Sequence, residues 1–176
     1  MGNRRITLYI AERLNGYIAT PEHNLDWLLS TEGEGDNGFK AYYDSIDTIL
    51  LGRVTYDWIM EHESEFPYKG KKCYVFSRSR HENTEYVHFI NEEPGEFCKN
   101  LKEGEGGKIW LVGGAVLNAC LLHNKLVDEV VISIAPVLLG QGIPLLAKEN
   151  IDTYLRLTDM KRYGQFVELH YDVKYG

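Results

Sequence analysis

Strands alternating with helices through residue 134, then two alternating runs around a tight turn, predict an α/β fold with a mixed, mostly parallel sheet. Two observations carry this. The runs at 48–51, 73–76 and 109–112 are short and apolar or β-branched throughout, as strands covered by helices on both faces are. The runs at 154–162 and 165–173 alternate instead and flank Tyr163-Gly164, the pattern of an antiparallel C-terminal hairpin at the sheet edge. The length predicts a single domain over residues 1–176, large enough to bury roughly two thirds of its unfolded surface.

In order, residues 6–10 read as a first strand, Asn15-Gly16 as a turn, and Tyr17, Ile18 and Ala19 as a return to apolar character. After a polar loop, Asp26 is placed to cap a short helix starting at Trp27, with Leu28 and Leu29 toward the core. Gly33, Gly35 and Gly38 among acids mark a surface segment. Phe39, Tyr42, Tyr43 and Ile46 recur at helical spacing before the strand at 48–51, and Arg53 and Thr55 open a helix that turns Tyr56, Ile59 and Met60 inward. A strand at 73–76, a brief one at 87–90 and a helix at 94–101 with Pro94 near its start follow.

The organising stretch is 108–146. Its strand at 109–112 ends in Gly113 and Gly114, which let the backbone turn tightly and a ligand come close. Ala115, Val116, Ala119, Cys120 and Leu122 then form a helical apolar stripe that His123 and Asn124 close. Residues 129–134 are another β-branched strand, and Gly140-Gln141-Gly142 reads as a structural turn.

A formal charge of −7 argues against a nucleic-acid-binding surface, which needs clustered Lys and Arg. Cys73, Cys98 and Cys120 are odd in number and far apart, the usage of a reduced intracellular chain, and no CxxC or Cys/His cluster suggests a metal. The N-terminus lacks a signal peptide's apolar core and no run approaches the ~18 residues of a membrane span, so a soluble, cytoplasmic protein is expected.

Chemistry gathers at strand ends. Gly52-Arg53-Val54-Thr55, Ser77-Arg78-Ser79-Arg80 and Gly113-Gly114-Ala115 each follow a buried strand, and in an open α/β sheet such junctions converge on one crevice. Helix N-termini near 54 and 115 offer N–H donors to a pyrophosphate, and the guanidinium and hydroxyl groups suit a terminal phosphate such as the ribose 2′-phosphate of NADP.

LNGYIA at 14–19, LDWL at 25–28, DTILLGRVTYDW at 47–58, VFSRS at 75–79 and the LVGGAVLNACLL series from residue 111 make the chain resemble the dihydrofolate reductase superfamily. The resemblance is strongest to the branch related to the C-terminal reductase domain of riboflavin-biosynthesis deaminase-reductases. It implies a three-layer fold with an eight-stranded sheet, NADPH across the strand ends, and hydride transfer to a heterocyclic C=N or an opened sugar. Carried onto this chain, it implies that Gly52, Arg53 and Thr55 hold phosphates and that Ser77 and Arg78 hold the adenosine end. Gly113, Gly114, Ala115 and Leu117 would take the pyrophosphate and nicotinamide side, and Ala11, Gly16, Tyr17 and Ile18 would cover the nicotinamide. Asp26 falls near the position where the folate enzymes place their proton-donating acid, so a catalytic and a helix-capping reading of it stand side by side. His23, in the same loop, reads as a solvated histidine.

Between Arg13 and Lys40 there is no Lys or Arg, whereas Glu22, Asp26, Glu32, Glu34 and Asp36 are acidic, as are Glu61, Glu63 and Glu65. Such loops repel the glutamate tail of folate and equally a phosphoribosyl group, which leaves a neutral or cationic substrate. The reading is an NADPH-dependent reductase of a small pteridine- or pyrimidine-like substrate, pairing as a homodimer as relatives commonly do, with the hairpin tyrosines Tyr163, Tyr171 and Tyr175 in strand packing or a dimer face. Its alternatives are a nucleotide-binding module without turnover and a flavin-binding oxidoreductase using the same crevice.

Overall fold

Strand side chains point alternately to two faces, so a strand that is apolar throughout needs a cover on each. In the computed structural model, which describes residues 3–147 and 152–176, the chain supplies both covers. It runs β1 (Ile6–Arg13), β2 (Tyr17–Ala19), α1 (Asp26–Leu29), α2 (Phe39–Asp44), β3 (Ile46–Gly52), α3 (Arg53–His62), β4 (Lys72–Phe76) and β5 (Val87–Ile90). Then come α4 (Pro94–Glu103), β6 (Lys108–Gly113), α5 (Ala115–His123), β7 (Glu129–Ala135), β8 (Ile143–Pro144), β9 (Tyr154–Tyr163) and β10 (Phe166–Lys174). Eight strands form one sheet in the order β5-β4-β3-β6-β1-β7-β10-β9, while β2 and β8 pair separately. Every pairing from β5 across to β7 is parallel; β10 is antiparallel to both β7 and β9. Among the described residues no helix is long and apolar enough to cross a membrane.

One face of the sheet presents Leu8, Leu50, Ile109 and Leu111 to Phe97 and Cys98 of α4 and to Leu117 and Leu121 of α5. The other presents Ile49, Leu51, Val75 and Trp110 to Phe39 and Tyr42 of α2 and to Tyr56 and Ile59 of α3. Leu50 and Leu111 are fully enclosed, so truncating either to Ala costs roughly 2–5 kcal/mol. The mixed, mostly parallel sheet with helices on both faces and a C-terminal hairpin is the predicted architecture. The hairpin turns at Gly164-Gln165, with Tyr163 opposite Phe166.

Four local expectations fail for reasons of geometry. Ile46 is not on a helix: α2 stops at Asp44, and Ile46 starts β3, buried and in register with Lys108. Because α1 is a single turn, only one side can face inward; Trp27 takes it and Leu29 stays 82% exposed. Asp26 is the first residue of that turn and not its cap, which is Leu25 without a side-chain hydrogen bond. Met60 and Val116 are also exposed: Val116 lies opposite the buried side of α5, while Met60, one turn after Tyr56, is on the buried side of α3 but near its C-terminal end and half-exposed.

Candidate functional site

The sheet register decides whether the three strand-end turns meet. β3 lies between β4 and β6, with Leu51 opposite both Val75 and Gly113, and Gly52 opposite Phe76. The turns after residues 51, 76 and 112 therefore stand side by side at the carboxyl ends of adjacent strands. Contact there is close. A methyl group on Gly52 would lie 3.3 Å from the Gly114 nitrogen, and one on Gly114 would lie 3.3 Å from Thr55 Oγ1. Gly113 has φ of +120°, a region L side chains rarely adopt, and the Gly113-Gly114 peptide is cis.

These turns open a cleft of about 1310 Å³. Ser77, Arg78 and Asn91 line one end; Gly52, Arg53, Thr55, Gly114, Ala115 and Leu117 line the middle; Ala11, Ile18, His23, Leu28, Trp58 and Ile143 line the other end. Both α3 and α5 start at glycine N-caps, Gly52 and Gly114, without a side-chain cap hydrogen bond, and both first turns border the cleft.

Arg53 is anchored rather than loose. Its Nε donates to Asp57 Oδ1 at 2.8 Å, its Nη1 to Ser77 Oγ at 3.4 Å, it contacts His81 Nε2, and it lies over the Phe89 ring. Asn91 Nδ2 donates to the carbonyls of Ser77 and Arg78 at 3.1 and 2.7 Å, which fixes the turn carrying Arg78. Beyond it, the N–H groups of Gly95 and Glu96 hold the Glu93 carboxyl below its usual range, so this lining residue stays negative.

The cleft's other end is strapped in place. Arg13 is fully buried, and its Nη2 donates at 3.0 Å to the carbonyls of both Ala19 and Gln141, tying β2 to the loop before β8. Its guanidinium stacks near Tyr17 and Trp27. This tie brings Ile18 and Ile143 to the cleft together. On the opposite side, Asn118 Nδ2 donates to the Leu145 carbonyl, and the Ala147 N–H donates to that of Ala115.

Of the residues singled out in the sequence, Ala11, Ile18, Gly52, Arg53, Thr55, Ser77, Arg78, Gly114, Ala115 and Leu117 line the cleft. Gly16, Tyr17, Gly113 and Asp26 are not part of that lining. Gly16 forms the turn between β1 and β2, with φ of +88° and its N–H on the Arg13 carbonyl. Tyr17 packs on Arg13, and Gly113 is buried at the end of β6. Asp26 is exposed; its carboxylate accepts from Asn24 Nδ2 at 3.1 Å while its own N–H donates to Asn24 Oδ1 at 2.6 Å.

Sequence reasoning missed Trp58, Val116, Asn91 and Ile143 as lining residues; His23 is exposed, as its solvated reading has it, and with φ of +61° also stands at the rim of the cleft. Two signals were available. Val116 sits in the first turn after the glycine pair, on the side of the helix that faces the strand-end crevice, and Asn91 follows β5 directly.

The family model for the RibD C-terminal domain matches residues 4–169. The uncharacterised protein YwjB of Bacillus subtilis is 44% identical over 96% of this chain and 97% of its own length. A Shewanella sp. PV-4 protein assigned provisionally to riboflavin biosynthesis superposes with a TM-score of 0.87 at 26% identity, covering 99% of this chain and 100% of that one. Dihydrofolate reductase from Enterococcus faecalis, in complex with NADP(H) and RAB-propyl, shares the fold at a TM-score of 0.69 and 16% identity, over 99% of each chain.

Proposed function

This chain belongs to the RibD C-terminal domain family, and from that premise we propose that it is an NADPH-dependent reductase passing a hydride to a small pteridine- or pyrimidine-like heterocycle. The observation that carries the reading is the single cleft shared by the turns after β3, β4 and β6. The residues present fit a dinucleotide. Side chains at Gly52 or Gly114 would fill the space between the turns, and two helix N-termini border the cleft without side-chain caps. Arg53, Thr55, Ser77 and Arg78 would hold phosphates, and Ala115 and Leu117 would lie toward the nicotinamide.

NADPH, when bound, supplies the hydride. The chain's own part is to orient two rings, exclude water and assist one protonation. Ile18, Leu28, Trp58 and Ile143 form the apolar walls that exclude water. For the proton, Asp26 falls near the sequence position of the folate enzymes' acid, while His23 is the titratable side chain of the same loop that lines the cleft. The outward placement of Asp26 favours, as a second reading, a nucleotide-binding module without turnover. We also propose a homodimer through β9, whose Tyr154, Leu157 and Met160 are exposed at the sheet's end.

Titration with NADPH and NADH, followed by tryptophan fluorescence, tests the assignment because Trp58 lines the cleft. NADPH preference that disappears in Arg53→Ala or Arg78→Ala supports it, and indifference to both nucleotides removes it. Bound yellow colour in the purified protein would point to flavin instead.

A further inference from the structure

We infer that the substrate end of this cleft takes an uncharged, unphosphorylated ring, an inference that rests on the reductase reading above. Charge is distributed unevenly along the lining. Arg53 and Arg78 stand with Glu92 and Glu93 where β3, β4 and β5 end. Between β1, β2 and α1 the walls are Ile18, Leu25, Leu28 and Ile143, faced by Val54 and Trp58 of α3. Among the described residues, His23 is the one titratable side chain in that part of the lining.

A phosphate or carboxylate entering there would give up its water with no cation in the lining to receive it, since Arg13 at this end is fully buried behind Ala19 and outside the lining. A cationic substrate fares no better. Asp26 is turned to Asn24 outside the lining, and one face of the Trp58 ring is already covered by His62, stacked at 4.2 Å. The sequence alone left a neutral and a cationic substrate open; the apolar walls select the neutral one. A flat ring with one hydrogen-bonding edge toward His23 satisfies such a pocket, which is apolar with few polar groups. The phosphoribosyl group of riboflavin intermediates and the glutamate tail of folate are both excluded on the same ground.

The test uses two ligands with one ring, 6-methylpterin and pterin-6-carboxylate, titrated by their own fluorescence into protein saturated with NADP+. NADPH binding is measured first by tryptophan fluorescence. With NADPH bound normally, the expected result is at least tenfold tighter binding of 6-methylpterin. Equal or tighter binding of the carboxylate, or no saturable binding of 6-methylpterin, overturns the inference and leaves the reductase reading standing. Failure to bind NADPH removes that reading and the inference with it. Leu25→Lys, confirmed as folded by its melting curve, puts a cation in the wall and is expected to narrow or reverse the preference; an unchanged ratio also counts against the inference.

Discussion

Arg53 Nε lies 2.8 Å from the Asp57 carboxylate one helical turn along α3, so the cation best placed for a cofactor phosphate is already shared with an acid of its own helix. A phosphate must compete with that acid. Asp57→Asn is therefore expected to tighten NADPH binding about three- to tenfold, the scale of a partly exposed ion pair. Arg53→Ala is expected to weaken it at least tenfold, the scale of a charge-assisted hydrogen bond. Fluorescence titration at two salt concentrations checks both, and the Asp57→Asn gain should shrink at high salt.

The glycine contacts give a second expectation, for stability as well as binding. Gly113→Ala forces an L side chain to φ of +120° and costs on the order of 1–3 kcal/mol, lowering the melting temperature. Gly52→Ala has no such backbone penalty, but its methyl lies 3.3 Å from the Gly114 nitrogen, so the two turns must part by a few tenths of an ångström. Its expected signature is a small stability change with a larger loss of NADPH affinity. The reverse ranking in melting and titration would show that the turns do not need this close approach.

Sheet and crevice were legible because strand burial and glycine punctuation are local signals. Thr48 to Leu51 is apolar or β-branched in a row, and Gly52, Gly113 and Gly114 mark where each strand hands over to a helix. The failures occurred where one residue could serve two elements. Ile46 continues the spacing of Phe39, Tyr42 and Tyr43, yet only pairing with β6 decides that it is a strand residue. His23 and Asp26 lie three residues apart in a polar loop, and which of them lines the cleft depends on the Asn24 hydrogen bonds and on the strap that Arg13 holds.

Arg4 and Asp47 predict how stability responds to acid. Arg4 is 7% exposed; its Nη2 donates to Asp47 Oδ1 at 2.6 Å, and Asp47 also accepts from the Gly107 N–H at 2.6 Å and from Thr48 Oγ1 at 2.8 Å. Burial alone would raise the Asp47 carboxyl, but the Gly107 N–H, the Thr48 hydroxyl and the Arg4 guanidinium together hold it below its ordinary 3.8. A lowered folded value means the contribution is complete above that ordinary value and is lost as pH falls through the folded one. Asp47→Asn is expected to cost about 1–2 kcal/mol near neutral pH, discounted for the half-exposed carboxylate. Urea melts should show the mutant and parent converging below about pH 4.

His23 and Asp26 separate by kinetics once a reducible ring is in hand. If His23 assists protonation, His23→Gln lowers kcat about 10²-fold or more and removes a limb of the pH profile, while Asp26→Asn stays within about twofold because its carboxylate serves Asn24. The opposite ranking would return the role to Asp26, after movement of residues 20–26 over the bound ring. Unchanged kcat in both variants would remove both from the proton step, whereas no turnover of any such ring with NADPH binding intact would favour the module without turnover.

The end strand β9 carries the test of assembly. It pairs with β10 on one side, and its Tyr154, Leu157 and Met160 are 74%, 54% and 66% exposed, an apolar edge of the kind soluble chains usually cover. Antiparallel pairing with a second copy about a two-fold axis near Thr158, where β9 carries a register irregularity, would bring Arg156 toward the partner's Asp159 and Leu155 toward the partner's Met160. The strand is thus self-complementary in charge and in apolar character. Light scattering at micromolar concentration should give twice the chain mass. Asp159→Arg and Arg156→Asp should each shift the protein toward monomer, and the combined swap should restore the dimer. A monomer at all concentrations, or a dimer indifferent to either reversal, would place the interface elsewhere.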